Sequence, residues 1–157
     1  MADMVDDDVM HLWALLFEIV LDGEKRLASH FAMHGLTTPQ FYVLKTLVEQ
    51  GGECSIGQIA RVHGLTSATM TGLVKRLEAQ SPPLVLRQPD DADRRSVRVI
   101  LTEAGQERFA AVQTSLLEYV RALFCMLSAD DRQNIIAYLS RYVDMVVRGM
   151  PLIDSPA

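Results

Sequence analysis

The densest reactive chemistry in this chain lies between Asp90 and Gly105, in the stretch DDADRRSVRVILTEAG. Three carboxylates, Asp90, Asp91 and Asp93, precede two adjacent arginines, Arg94 and Arg95. A guanidinium stays protonated at any relevant pH, and its planar fork of donors matches carboxylate and phosphate oxygens. Carboxylates with a histidine could instead do acid-base or metal chemistry, but no nucleophile motif accompanies them. A projecting loop also cannot exclude water or hold groups in reacting geometry. Binding is the better reading of this cluster.

A second cluster runs from Ser67 to Arg76. It sets small hydroxyl and methyl side chains first (Ser67, Ala68, Thr69, Thr71, with Gly72) and cations after them (Lys75, Arg76). A helix that enters a major groove needs small residues where its backbone nears the bases, and hydroxyls and methyls that meet base edges and the thymine methyl. Its N-terminal amides and nearby cations hold phosphates. The same composition also describes an ordinary solvated face, and the helix alone does not separate the two.

The arginines need elements to carry them. LVLR precedes them, and Val97, Val99 and Leu101 alternate with Arg98 and Ile100 after them. These read as two antiparallel strands, about Leu84 to Gln88 and Val97 to Leu101. The loop between, Pro89 to Ser96, is too polar to be buried and should project as a finger. Upstream, Val9, Leu12, Trp13, Leu16, Ile19, Val20, Leu27 and Phe31 recur at helical spacing, so a long helix is expected over Asp7 to Met33, ending near Gly35. Ala14, Leu15, Phe17 and Leu21 fall off that stripe, and a helix apolar on more than one face must be covered from two sides.

Thr37 and Gln40 form a capping box for a helix from Thr38 to Glu49, burying Phe41, Leu44, Leu47 and Val48. Ser55 and Gln58 repeat it for a short helix, Ile56 to Val62. The turn His63-Gly64-Leu65 follows, with glycine where a left-handed conformation is expected, and Thr66 caps a helix from Ser67 to Gln80 whose buried stripe is Met70, Leu73, Val74 and Leu77. Ser81-Pro82-Pro83 ends it. Thr102 starts a helix with the stripe Phe109, Val112, Leu116, Val120, Leu123 and Leu127. Ser128 with Asp131 starts the last, with Ile135, Leu139, Tyr142, Val143, Val146 and Val147 at helical spacing and Pro151 closing it.

At 157 residues the chain suits one domain with a good core, and a mean hydropathy of +0.12 leans toward extra apolar burial against a second copy. The net charge of −5 is unevenly placed. Residues 1–60 hold 3 basic and 9 acidic side chains, residues 61–98 hold 7 and 4, and residues 99–157 hold 5 and 7. A local basic patch in the middle matters more for an anionic partner than the total. The run from Leu12 to Leu21 is too short for a membrane span, the aspartate-rich start is unlike a signal peptide, and two cysteines suit a reducing compartment. A cytoplasmic location is expected.

Three motifs at consistent spacing carry a resemblance: LTTPQFYVLKTL (Leu36 to Leu47), IGQIARVHGLTSATMTGLVKRLE, and DADRRSVRVILTEAG. Together with the long flanking helices they resemble the winged helix-turn-helix regulators of the MarR (multiple antibiotic resistance regulator) family, over nearly the whole chain. The implied fold is mainly α with a small antiparallel β wing. It comprises an N-terminal dimerisation helix (1–35), a DNA-binding domain (36–101) and C-terminal dimerisation helices (102–157), intertwined as one domain. The implied function is sequence-specific binding of double-stranded DNA by a homodimer, as a repressor released from a pseudo-palindromic operator by a small, often aromatic, ligand. No catalytic residue, cofactor or metal is expected.

The resemblance makes the helix from Ser67 the recognition helix and Asp93, Arg94 and Arg95 the wing motif. The expected DNA contacts are Thr38, Ser67, Ala68, Thr69, Thr71, Lys75, Arg76, Asp93, Arg94 and Arg95. An arginine in a narrow A·T-rich minor groove meets enhanced negative potential. Asp93, repelled by phosphate if free, is expected to accept hydrogen bonds from Arg94 or Arg76 and hold the wing's pose; a plain surface ion pair is the other reading. One departure stands out: Ser81-Pro82-Pro83 replaces the glycine usual before the first wing strand.

The effector region implied by the family includes His11, Trp13, Phe17, His34, Phe41 and Tyr42, although core or dimer interface explains each as well. His30 and His34, four apart, could share a metal but lack an evident third ligand. Cys54, at a helix entrance, could have its thiol pKa lowered by the helix N-terminus, but a partly buried thiol is the default reading. The competing function is a dimer that keeps the scaffold for ligand or protein binding and has lost DNA binding; the wing arginines, Lys75 and Arg76 speak against it.

Overall fold

The structure is a computed structural model that describes residues 2–89 and 97–149. The expected finger from Pro89 to Ser96, with Asp93, Arg94 and Arg95, falls almost wholly outside the described residues, as does Pro151. Two compact units emerge, residues 1–114 and residues 115–157.

The first unit contains helix α1 (Ala2–Met33), α2 (Thr38–Glu49), strand β1 (Glu53–Ser55), α3 (Ile56–Val62), α4 (Ser67–Glu78), β2 (Val85–Pro89), β3 (Val97–Leu101) and the first half of α5 (Glu103–Cys125). α1 starts ahead of the expected Asp7, so Asp6, Asp7 and Asp8 lie in its early turns, where the helix dipole favours carboxylates. Glycines close the turns as expected: Gly35 and Gly64 have φ of 70° and 61°.

Caps fix where the helices begin. The Thr37 N–H donates to Gln40 Oε1 at 2.9 Å, Ser55 Oγ accepts from the Gln58 N–H at 3.2 Å, and Thr66 Oγ1 accepts from the Thr69 N–H at 3.2 Å. Each satisfies a backbone donor that the helix leaves open.

The core of this unit joins Phe31, Val43, Leu44, Leu47, Ile59, Met70, Val74, Leu77, Leu84, Val85, Val99 and Val112, all essentially inaccessible. The whole expected stripe of α4 is buried, as are Ile56, Ile59 and Ala60 of α3, and Val43 joins α2's buried face while Val48 is only half-buried. Phe41 stacks between Phe31 (centroids 4.3 Å apart) and Phe109 (5.4 Å), tying α1, α2 and α5 together.

The sheet is three-stranded and antiparallel, in the order β1-β3-β2. β3 is therefore central, pairing Cys54 with Val99 on one side and Arg87 with Val99 on the other. β1 has no counterpart among the expected elements: three residues between Gly51-Gly52 and a helix cap are too short to show a strand period. β2 is shifted one residue from its expected start, to Val85.

Where the sheet meets α5, backbone comes unusually close. The Thr102 N–H donates to Leu84 O (3.1 Å), the Thr102 hydroxyl donates to Pro83 O (2.7 Å), and Thr102 Oγ1 accepts from the Gly105 N–H (3.0 Å). A Cβ on buried Gly105 would clash with Leu84 O and lie 2.8 Å from Leu101 Cδ1. The LTEAG segment thus needs its threonine to hold the strand root and its glycine to let α5 approach it. Gly105→Ala should lower the thermal midpoint by roughly 3–10 °C, equivalent to about 1–3 kcal/mol of overpacking, measurable by calorimetry. An unchanged midpoint would contradict this account of the joint.

The second unit holds the remainder of α5, a turn, α6 (Ala129–Tyr142) and a π-helical segment, Val143–Arg148. Ser128 caps α6 as expected, accepting from the Asp131 N–H at 3.1 Å. α5 stops at Cys125, before Leu127, and the last expected helix changes to π geometry after Tyr142. Not one residue from 115 to 149 is buried in the single chain. Leu117, Val120, Leu123, Ile136, Leu139, Met145 and Val147 are all exposed. An apolar helical unit without a core of its own needs a second surface.

Candidate nucleic-acid interface

α3 and α4, joined through Gly64, form a helix-turn-helix. α4 buries Met70, Leu73, Val74 and Leu77 and turns the rest outward. Ser67, Ala68 and Thr69 are exposed at its N-terminal end, Thr71 and Gly72 are half-buried, and Lys75 and Arg76 are exposed one to two turns on. Of the expected contacts, Ser67, Ala68, Thr69, Thr71, Lys75 and Arg76 thus share one helix, and Thr38 sits half-buried at the start of α2. The other three, Asp93, Arg94 and Arg95, lie outside the described residues.

Local hydrogen bonds decide what each hydroxyl can offer. Thr69 Oγ1 lies 2.9 Å from Thr66 Oγ1, and the Thr71 hydroxyl donates to Ser67 O at 2.7 Å. The Thr69 and Thr71 methyls remain for apolar contact, whereas Ser67 keeps a rotatable hydroxyl. Lys75 and Arg76 form no ion pair among the described residues, so their charge is available to phosphate. Arg61, exposed near the end of α3, adds a cation that no sequence motif singled out.

The aim of the hairpin is likewise invisible in residue type. Arg87 on β2 donates from Nε to Glu78 Oε2 at 2.6 Å, and its N–H donates to Glu78 Oε1 at 3.0 Å. One carboxylate at the end of α4 thus holds the first wing strand by side chain and backbone together. Burial raises the Glu78 pKa, but the Arg87 hydrogen bonds and charge, helped by Lys75, outweigh it and leave the pKa lowered. A lowered folded-state pKa stabilises above the unfolded value and is lost as pH falls through the folded one. Glu78→Gln should therefore lose about 0.5–1 kcal/mol relative to the parent at pH 7, and that gap should narrow at about pH 3, below the ordinary carboxylate range. Urea melts at the two pH values check this; equal gaps at both would contradict it. Across the sheet, Arg98 on β3 pairs with Glu53 on β1.

A third tie anchors the turn after α1. Arg108 Nη1 on α5 donates to His34 O at 2.6 Å, and Gln80 Nε2, just past α4, reaches Gly35 O at 3.4 Å.

The expected effector residues occupy different settings. His11, Trp13 and Phe17 lie on the exposed part of α1, with the Trp13 and Phe17 rings 5.1 Å apart. Phe41 is in the aromatic core, His34 is half-buried, and Tyr42 is 39% exposed. The His30 and His34 rings are 5.4 Å apart, and among the described residues no third histidine, cysteine, aspartate or glutamate joins them.

Cys54 follows the default reading of a buried thiol rather than that of an activated one. Burial pushes the thiol pKa up, and the Ser55 backbone N–H only partly opposes this. Cys54 sits in β1 opposite Val99 and is buried, so desolvation outweighs the nearby helix terminus.

A trihelical head whose third helix is outward, Ser/Thr-lined and basic, beside an antiparallel strand pair, defines the winged helix-turn-helix class. Comparison with known proteins agrees. The MarR family model matches residues 36–97. The HTH-type transcriptional regulator YsmB of Bacillus subtilis is 37% identical over 91 residues, 58% of this chain and 60% of YsmB. The match thus spans less than two thirds of that relative. The HTH-type transcriptional repressor NicR of Pseudomonas putida is 32% identical over 109 residues, 69% of this chain and 67% of NicR. The crystal structure of YusO from Bacillus subtilis superposes with a TM-score of 0.74 over 92% of this chain and 98% of YusO; at 21% identity that likeness shows the fold alone.

The chain belongs to the MarR family. Residues 36–97 are accordingly a winged helix-turn-helix head of the kind that DNA-binding transcriptional regulators of this family carry. Among the described residues no helix is long and apolar enough to cross a membrane.

Proposed function

We propose that this chain works in the cytoplasm as a homodimeric repressor. Residues 1–35 and 102–157 clasp a second copy, and residues 36–101 read DNA. The two α4 helices enter successive major grooves of a pseudo-palindromic operator, with Ser67, Ala68, Thr69 and Thr71 at base edges and Thr38, Lys75 and Arg76 on phosphates. Asp93 holds the wing while Arg94 and Arg95 reach the flanking minor groove. A small aromatic effector, taken up near His11, Trp13, Phe17, His34, Phe41 and Tyr42, releases the complex.

The observation that carries this reading is α4 itself: one face is locked into the core by Met70, Leu73, Val74 and Leu77, and the opposite face leaves small polar groups and cations uncovered. A rigid, outward helix of that composition is suited to a groove. The repressor sign is supported by the similarity to NicR, itself a repressor.

Replacing Arg94 by alanine tests the wing. The protein should fold and dimerise normally yet bind operator DNA about 10-fold or more weakly in fluorescence anisotropy, since a well-placed arginine contact is worth roughly 1–3 kcal/mol. Unchanged affinity would remove Arg94 from the interface.

A further inference from the structure

Two threonines on the outward side of α4 have their hydroxyls already engaged. The Thr71 hydroxyl donates to Ser67 O at 2.7 Å, one helical turn back, and Thr69 Oγ1 lies 2.9 Å from Thr66 Oγ1, the oxygen that caps the helix. Each bond fixes a side-chain rotamer, so each γ-methyl has one place to be. Of the hydroxyls expected at base edges on α4, only that of Ser67 keeps no partner among the described residues.

What α4 offers to a groove is therefore mostly carbon. Ala68 and Thr69 are exposed, Thr71 is half-buried, and a Cβ at Gly72 would meet nothing within 4 Å, so bare backbone faces open space beside them. Thr71 has given its only hydroxyl proton to a carbonyl. Donating it instead to a purine N7, a guanine O6 or a thymine O4 would trade one hydrogen bond for another, with little net gain. The base edges in the major groove of B-DNA carry one kind of apolar substituent, the thymine C5-methyl.

We propose that α4 reads its operator half-site through thymine methyls, with Thr71 as the residue that sets this preference and Thr69 and Ala68 beside it. Given the DNA-binding reading above, on which this rests, the selected atoms are those that thymine has and uracil lacks. The Thr71 hydroxyl is spent on its own helix rather than on a base, and Ser67 supplies the polar contact. Burying one methyl against another is worth about fourfold in affinity, the transfer of roughly one carbon out of water. In a dimer that factor enters once for each half-site.

The test uses the full chain and the duplex it selects from random-sequence DNA, remade with deoxyuridine in place of each thymine in turn, symmetrically in both half-sites. Deoxyuridine keeps the base pairing and the O4 acceptor and removes only the methyl. At one or more positions the replacement should weaken binding about 15-fold in fluorescence anisotropy. Thr71→Val keeps a γ-methyl and drops the hydroxyl, and Thr71→Ser does the reverse. The valine variant should bind within about twofold of the parent, whereas the serine variant should lose about 15-fold. On the sensitive deoxyuridine duplex Thr71→Ser should cost little more, because protein and DNA then lack the two halves of one contact.

Equal affinity for the thymine and deoxyuridine duplexes at every position would overturn the methyl preference and leave DNA binding intact, as would a Thr71→Val variant that loses what Thr71→Ser retains. Losses from Thr71→Ser and from deoxyuridine that add at every thymine would remove Thr71 as the reader. Failure to select any DNA would end the DNA-binding reading, and the thymine preference with it.

Discussion

Glutamate placed at both Leu12 and Ile19 should convert the protein to a monomer and weaken operator binding by about 10²–10⁴-fold. These side chains are 56% and 66% exposed on α1, among Val9, Met10, Trp13, Leu15, Phe17, Val20 and Leu21, all similarly open. A run of large apolar groups on more than one face of a helix is costly in water and stable only when covered. In the dimer, each carboxylate would be buried without a partner, which association cannot tolerate. The weaker binding follows from geometry, since neither residue belongs to the proposed DNA-facing set. One head bound to a half-site brings its twin to the other at high effective concentration, and separate heads forfeit that gain. Light scattering after size-exclusion gives the mass, and anisotropy gives the affinity. The core of the first unit contains neither residue, so its near-native melting serves as the control. A double variant that remains dimeric, or a monomer that binds as tightly as the parent, would contradict the proposed clasp.

Salt should have the second large effect. Lys75 and Arg76 in each copy, helped by the α4 N-termini, are the expected phosphate partners, and Arg94 and Arg95 add their charge from the flanking minor groove. With about 6–10 phosphates neutralised per dimer, affinity should fall roughly 10³–10⁵-fold between 50 and 200 mM monovalent salt, through release of condensed counterions. The net charge of −5 reinforces this, because an acidic body away from the basic middle gives no compensating attraction. Replacing Lys75 by alanine should lower the slope of log affinity against log salt by about one for each phosphate that the lysine no longer neutralises. A slope near zero would mean that phosphate is not the partner.

How far the sequence can be read depends on how local each signal is. The starts of α2, α3, α4 and α6 are legible because a cap is a pairing within three residues: Thr37 with Gln40, Ser55 with Gln58, Thr66 with Thr69, Ser128 with Asp131. The buried stripe of α4 is legible because helical spacing leaves one way to sort Met70, Leu73, Val74 and Leu77 from the rest. β1 is not, since Glu53, Cys54 and Ser55 become a strand only by pairing with β3, some 45 residues away. The Cys54 thiol divides in the same way: its nearness to a helix start is visible in sequence, whereas the burial that raises its pKa comes from the sheet.

The candidate site divides likewise. The outward residues of α4 follow from its own periodicity. The Glu78–Arg87 tie that aims the hairpin depends on how the chain turns through Ser81-Pro82-Pro83, and nothing in residue type announces it. The Arg108 and Gln80 bonds to the His34–Gly35 turn are further cases, joining segments 74 and 45 residues apart.

Sequencing of genomic fragments selected by the purified chain tests the account most directly. The recovered sites should share an inverted repeat with half-site centres about 10 base pairs apart or a multiple of that, occupied by two copies of the chain. Fragments lacking any common inverted repeat, or sites filled by one copy at full affinity, would contradict it.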